Sequence, residues 1–374
     1  MSSKSAIVIG AGIVGLATAR ALAEKGFKVQ VFERNEKAVG ASIRNFGMVW
    51  PIGQQLGKLR ERALRSREIW KEACTGGNIW FGEHGSLLNV YHDDELAVIE
   101  EFYAVNKEQH DCKILTPDET VAISPATNPR NLKAALWSSS ELIVDPREAI
   151  AKLPAYLTGK YGIEFYFNRA ISHVEGTKAY TGKDVYEADL IFICSGADFE
   201  TLYLEDFAAT GITKCKLQML RTVPQPNNWQ AGPALSAGLT LTHYGAFANC
   251  PSLGKLQERY NAEFPEHVKW GIHVMISQNG QSEITIGDSH EYGLVHDPFD
   301  RDEVNQLILQ YLHSFTQIKD LEISQTWNGI YAKLKGATEV VLSPETGVHI
   351  INGLSGAGMT LSFGLAEEVV SKTV

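Results

Sequence analysis

Gly10, Gly12 and Gly15 follow directly on the apolar run at residues 6–9, and the acidic Glu33 lies 18 residues beyond Gly15. Residues of these types at this spacing serve to bind a dinucleotide. Gly10 permits a tight turn, Gly12 lets a pyrophosphate approach the backbone, and Gly15 lets a helix lie close on a strand. Ala11, Ile13 and Val14 complete the binding loop. The unpaired N–H groups and partial positive charge of the helix start face the phosphates. Glu33, with Arg34 beside it, stands where a carboxylate can accept both ribose hydroxyls of an adenosine. A glycine-rich turn without a ligand is the plainer reading. It leaves unexplained why strand, glycines, helix, second strand and terminal acid are all in register.

Those residues need elements to position them. Residues 6–9 are expected as a strand, with an amphipathic helix following to about Lys25 and a second strand at 29–32. Further helices are expected at 54–74, at 93–109 and at 145–161, the last with Pro146 in its first turn and Gly162 past its end. Strands are expected at 87–91 and 163–168, a polar hairpin turn at 181–183, and a buried strand in ADLIFICSGA, residues 188–197. From about Lys214 to Gln325 polar and apolar residues alternate in KLQMLRTV, LTLTHY, GIHVMIS and EITIGDS, the pattern of half-buried antiparallel strands, interrupted by one helix near 301–313. The tail VHIINGLSGAGMTLSFGLAEEVVSK reads as strand, glycine turn and helix. The expected fold class is α/β (α+β overall): a Rossmann-type cofactor domain of residues 1–85, 140–213 and 326–374, with an inserted mixed, mainly antiparallel sheet domain of residues 86–139 and 214–325.

A chain of 374 residues can bury a large core. Its formal net charge of −10 argues against nucleic acid or an anionic membrane as partner. The five cysteines are scattered and without a CxxC pair, which gives no metal or disulfide framework and suits a reducing compartment. The first strand leaves no room for a leader peptide, and no apolar stretch is long enough to span a bilayer. A cytoplasmic location is expected.

The ordered stations GAGIVG with Glu33, GASIRNFG at 40–47, DPREA at 145–149, ICSGAD at 193–198, WNGIY at 327–331 and GLSGAGMT at 353–360 resemble the FAD-dependent amine and amino-acid oxidoreductases that include D-amino acid oxidase, glycine oxidase and monomeric sarcosine oxidase. The resemblance runs over nearly the whole chain. It implies noncovalent FAD, with no His or Cys in the flavin-facing stretch of GASIRNFGMVWP. By the same resemblance Ala41, Ser42, Arg44 and Asn45 run beneath the pyrophosphate and ribityl chain, and Gly47 and Met48 lie beside the isoalloxazine. Ile171 meets the adenine, and Ser195, Gly196 and Ala197 form a second glycine turn. Gly329 belongs to the flavin site, and Gly356, Ala357, Gly358, Met359 and Thr360 start a helix aimed at the flavin. The chain departs from the family at its usual carboxylate ligands, where Tyr331 and Thr360 stand. RNFGMVWP, CKLQMLRT, WGIHVM, GDSHEYG and YAK resemble a narrower branch associated with bacterial aminophosphonate breakdown.

Arg221 and Lys333 are therefore the expected anion clamps, since a guanidinium or ammonium suits an oxyanion. Tyr331, His243, Tyr244, Trp50 and Tyr292 are expected in the substrate cavity. His273, His290 and Lys333 are candidate catalytic groups, and one of His243, His273 and His290 is expected to face the flavin. A single His is more often a structural hydrogen-bonding residue. The run HEYGLVHDPFDRDE matches no metal-ligand spacing and reads as solvated loop acids.

The function implied is oxidation of a C–N bond in a small amine, with hydride transfer to flavin N5 and hydrolysis of the imine to an aldehyde or keto product. The narrower resemblance implies 2-aminoethylphosphonate or its N-methyl form as substrate. An oxidase or dehydrogenase of the glycine, sarcosine or D-amino-acid type is the alternative, with oxygen or a quinone- or dye-type acceptor. A flavin hydroxylase and a non-catalytic FAD-binding module stay open.

Overall fold

The computed structural model describes residues 4–374. A six-stranded sheet runs in the order Val340–Glu345, Val348–Asn352, Leu190–Ile193, Ser5–Ile9, Lys28–Phe32 and Glu164–Tyr166. All of its pairings are parallel except that of the edge strand Val340–Glu345. Residues 6–9 of its central strand are buried on both faces, which explains their continuous apolar character. The helix Ile13–Glu24 returns over the sheet and packs on the last helix, Gly358–Thr373, which also packs on the helix Lys58–Gly77. Two side chains fix that last contact. Trp70 Nε1 donates to Met359 O at 2.8 Å, and the buried Arg62 forks to Glu339 and Glu368. The helix Pro146–Tyr161 follows its sequence signals closely: the Asp145 carboxylate accepts from Arg147 N and Glu148 N, and Gly162 ends it.

The second sheet has nine strands, mixed and mainly antiparallel. Its one parallel pair joins Ser86–Val90 to Ala234–Ala237. Thr213–Thr222 lies along Ile323–Lys333 over its whole length, with Cys215 opposite Tyr331 and Met219 opposite Trp327. Residues 326–333 therefore belong to this sheet and not to the cofactor layer, where the sequence boundary at 326 would have put them.

Two further expectations are corrected. LTLTHY is not a strand: residues Gly238–Thr242 form a 3₁₀ helix, in which Thr242 Oγ1 donates to Leu239 O and Leu239 N donates to Tyr311 Oη. Leu239 and Leu241 still bury, so the alternating pattern was real while the backbone turned. The middle segment also holds more than one helix. Leu253–Glu263 and Pro265–Lys269 precede Asp302–Phe315, and the first buries only Leu256 and Tyr260, a stripe too narrow to stand out in the sequence.

Candidate active site

A cavity of about 970 Å³ runs from the glycine loop to the mouth of the second sheet. That is the upper end of the roughly 300–1,000 Å³ usual for small-molecule sites. At one end the backbone leaves no room for side chains. Gly10 has φ +103°, and a Cβ there would sit 2.4 Å from Cys194 O. A Cβ on Gly15 would sit 1.8 Å from Gly10 O. The helices Ile13–Glu24 and Gly358–Thr373 both open on the cavity, and neither N-cap residue, Gly12 or Ala357, supplies a side-chain cap. Ser42 Oγ accepts from Ile13 N at 2.9 Å and so holds the 41–43 turn against the first helix.

Glu33 is buried on this wall. Its Oε2 accepts from Ala11 N at 3.0 Å and its Oε1 from Asn35 N at 3.1 Å, and among the described residues no Lys or Arg pairs with it. A carboxylate has about four lone-pair sites, so capacity remains for hydroxyl donors. Two helix starts facing the cavity, a side-chain-free turn and a carboxylate without a cation fit an anionic adenine dinucleotide. Glu33→Ala is expected to weaken FAD binding by about 1–3 kcal/mol, the range for a charged hydrogen-bonding group. An unchanged dissociation constant would contradict this role.

The expected cofactor residues sort by position. Gly10, Gly12, Ile13, Val14, Glu33 and Arg34 line the cavity, as do Ala41, Ser42, Arg44, Asn45 and Met48. So do Ile171, Ser195, Gly196, Ala197 and Gly329, and the run 356–360. Ala11, Gly15 and Gly47 do not line it. Gly15 acts through helix–strand contact, and Gly47 lies against Val144 O. Arg34 pairs with Asp198, and Arg44 spends its donors on Val39 O and Asn328 O. Asn45 accepts from Gly47 N and donates to Ala41 O, which braces the turn.

At the other end Trp50, His243, Tyr244, His273, His290, Tyr331 and Lys333 line the cavity. Arg221 and Tyr292 do not, which corrects two expected substrate contacts. Leu217 and Met219 carry the cavity face of the strand, and Arg221 lies two residues beyond it. There its guanidinium stacks on Trp327 at 4.8 Å, donates to Gln325 Oε1 at 3.1 Å and sits 3.7 Å from Glu283. Tyr292 is 56% exposed on a short strand that faces outward.

The three histidines form one cluster instead of supplying a single member to the cavity. The His243 and His273 rings stack at 3.7 Å, and His290 lies 4.7 Å from the first and 5.2 Å from the second. Asp288, which the sequence did not single out, joins them: its Oδ1 is 3.3 Å from His273 Nε2 and its Oδ2 3.9 Å from His290 Nε2. His290 Nδ1 bonds to Gly271 O at 2.9 Å. Burial holds the His243 and His273 imidazoles well below their usual range and lowers His290 to about 4, while it pushes the Asp288 carboxyl well up. The nearby Lys333 charge adds to the depression of His243 and His290. Burial thus favours the uncharged form of each group. The ring nitrogens of the three histidines lie within 4.8 Å of one another, a spacing open to a metal ion. The His273 and His290 rings lie 19° from parallel, and His243 is inclined 28° and 39° to them.

The Rossmann layer, antiparallel sheet and shared cavity define a flavoprotein of the dinucleotide-binding class. The chain belongs to the family of FAD dependent oxidoreductases (DAO), whose family model matches residues 5–372, and FAD is the cofactor of that family. It is similar to D-amino acid dehydrogenase of Helicobacter pylori, 26% identical over 260 residues, which are 52% of this chain and 60% of that protein. The match therefore spans less than two thirds of that relative. It is 27% identical over 215 residues to a tRNA 5-methylaminomethyl-2-thiouridine biosynthesis bifunctional protein of Campylobacter concisus, covering 54% of this chain and 31% of that one. Among solved structures, L-proline dehydrogenase from P. horikoshii shares the fold with a TM-score of 0.77 at 20% identity, over 99% of this chain and 94% of that one. Glycine oxidase from Geobacillus kaustophilus shares it at 0.76 and 18% identity, over 99% and 95%. Among the described residues no helix is long and apolar enough to cross a membrane.

Proposed function

We propose that the protein oxidises the C–N bond of a small amine that also carries an anionic group. The observation that carries this reading is the placement of Lys333. It ends the strand Ile323–Lys333, bridges to Leu354 just before the last helix, and shares the far end of the cavity with Tyr331 and the imidazole cluster. The other cations on the cavity wall are committed elsewhere, Arg34 to Asp198, Lys214 to Glu200 and Arg44 to backbone carbonyls. Arg169 lies beside Ile171, at the end expected to hold the adenine.

Glu33, the glycine turns and the two helix starts would hold FAD, which when bound supplies a hydride acceptor. The chain's own share is to bind and orient. Lys333 offers the counter-charge for the substrate anion, Tyr331 and Tyr244 offer hydroxyls, and Trp50 and Met48 form an apolar wall that excludes water. Burial disfavours an imidazolium in the cluster, and with it a competing cation at the amine end.

Within this class we rank aminophosphonates first, on the RNFGMVWP, CKLQMLRT and GDSHEYG stations. Arg221, engaged with Trp327 and Gln325, adds no second cation for a doubly charged anion. The similarity to D-amino acid dehydrogenases favours the amino-acid alternative. An anaerobic comparison decides between them. Flavin bleaching by 2-aminoethylphosphonate or its N-methyl form is expected to outpace that by glycine, sarcosine or D-alanine. Faster bleaching by an amino acid would reassign the substrate, and no bleaching by any anionic amine would remove the reading.

A further inference from the structure

The cluster His243, His273, His290 and Asp288 lines the cavity at the end away from the glycine turns, and the cost of burying its groups calls for a role. Four titratable side chains from three segments are packed against each other with almost no fixed hydrogen bonding among them. His273 Nδ1 and Asp288 Oδ1 are buried without hydrogen-bond partners, although such atoms ordinarily find one. The backbone is held firmly meanwhile: Asp288 N donates to His273 O, and His290 N donates to Trp270 O at 2.7 Å. His243 is the exposed member and opens onto the cavity, whose wall the buried His273, Asp288 and His290 also line. The arrangement leaves imidazole nitrogens ready to take a proton at the place where an amine would enter.

A small amine with an anionic group arrives at neutral pH as an ammonium, and it must lose a proton before its nitrogen lone pair can assist removal of hydride. We propose that the His243–His273–His290–Asp288 cluster accepts that proton, with His243 as the first acceptor, and that binding of the substrate anion at Lys333 switches its proton affinity on. This rests on the reading of the site given above. The step is a proton transfer alone: the substrate N–H bond breaks, its electron pair stays on nitrogen, and an N–H bond forms on the His243 imidazole.

The switch follows from charge. The groups facing His243 and the rest of the cluster are Lys333 and Tyr331 from the long strand, Tyr244 beside it in sequence, Cys215 from the paired strand and the outer Tyr292. Of these the Lys333 ammonium opposes an imidazolium, adding to the larger opposition from burial. An anion placed on Lys333 offsets its part of that opposition. The cluster then takes up a proton only when the anion end of a substrate is seated, so the ammonium is deprotonated in the complex and not in the open cavity. The Asp288 carboxyl, with Oδ1 3.3 Å from His273 Nε2, presents an oxygen to the resulting charge.

Two measurements test this. In the first, unmodified holoenzyme is titrated with sodium acetate, an anion without an amine, in a pH-stat at pH 6.5. Uptake of a sizeable fraction of one proton per site is expected, and it should vanish in Lys333→Met. Absent uptake, or absent acetate binding, overturns the switch. In the second, rapid anaerobic bleaching by the best anionic amine is followed against pH. The unmodified protein should be nearly flat through the neutral range. His243→Gln should depend on the neutral amine already present in solution, so its rate over dissociation constant should rise about tenfold per pH unit. It should fall at least about tenfold below the unmodified protein at pH 7 and converge with it near pH 10. Parallel profiles overturn the acceptor while bleaching itself leaves the substrate reading standing. Should His243→Gln fail to retain FAD, His273→Gln is expected to show a smaller shift of the same sign. Strong binding of zinc to the unmodified protein, abolished in both variants, would instead assign the cluster to a metal and overturn the proposal.

Discussion

Lys333→Met is expected to raise the Michaelis constant for an anionic amine at least about tenfold, a loss of about 1.4 kcal/mol or more, with the FAD spectrum unchanged. The side chain is half-buried, on a strand end tied to Leu354, so removing its charge leaves the local backbone intact. The matching control is Arg221→Met. Sequence reasoning put Arg221 at the anion. In the fold it is 3% exposed and engaged with Trp327, Gln325 and Glu283. That substitution should lower thermal stability, since it strips a stacked guanidinium from a buried charge cluster, yet leave the Michaelis constant within about twofold. If Arg221→Met weakens substrate binding and Lys333→Met does not, the cavity has been assigned to the wrong cation.

Gly15→Val should remove FAD altogether. Even a single Cβ at this position would lie 1.8 Å from Gly10 O, a backbone atom that cannot rotate aside. The helix would have to lift off the strand, carrying with it the first-turn N–H groups that open on the cavity. Overpacking of this kind costs about 1–3 kcal/mol and sometimes more. Because the same contact shapes the phosphate site, loss of binding should exceed loss of stability. The purified variant should be colourless with a lowered melting temperature. A yellow protein of unchanged melting temperature would show that the close contact is not what shapes the loop.

The two predictions draw on different layers of information. The glycine motif was legible because it is local: turn, helix start and following strand lie within residues 5–33, and each demands a particular residue type where it stands. The same holds for Asp145, Pro146 and Gly162 around their helix. Alternation likewise announced the second sheet, although in LTLTHY it marked burial without extended backbone.

The imidazole cluster had no such signature. His243 ends a 3₁₀ segment, His273 precedes the strand Met275–Gln278, and Asp288 and His290 follow the strand Ile284–Gly287. Antiparallel pairing of those two strands, with Met275 opposite Gly287, carries His273 and Asp288 to the same end of the sheet. No spacing along the chain encodes that meeting. Arg221 shows the converse. It alternates onto the same face of its strand as Leu217 and Met219, but only the assembled sheet shows where the cavity stops and the Glu283 cluster begins. The cofactor class, the two-layer plan and the glycine cradle were thus determined by the sequence itself, because short-range sterics and hydrogen bonding dictate them. Which cation meets the substrate, and which titratable groups share one low-dielectric space, were decided by the tertiary structure, because long-range strand pairing and desolvation act only on residues already brought together.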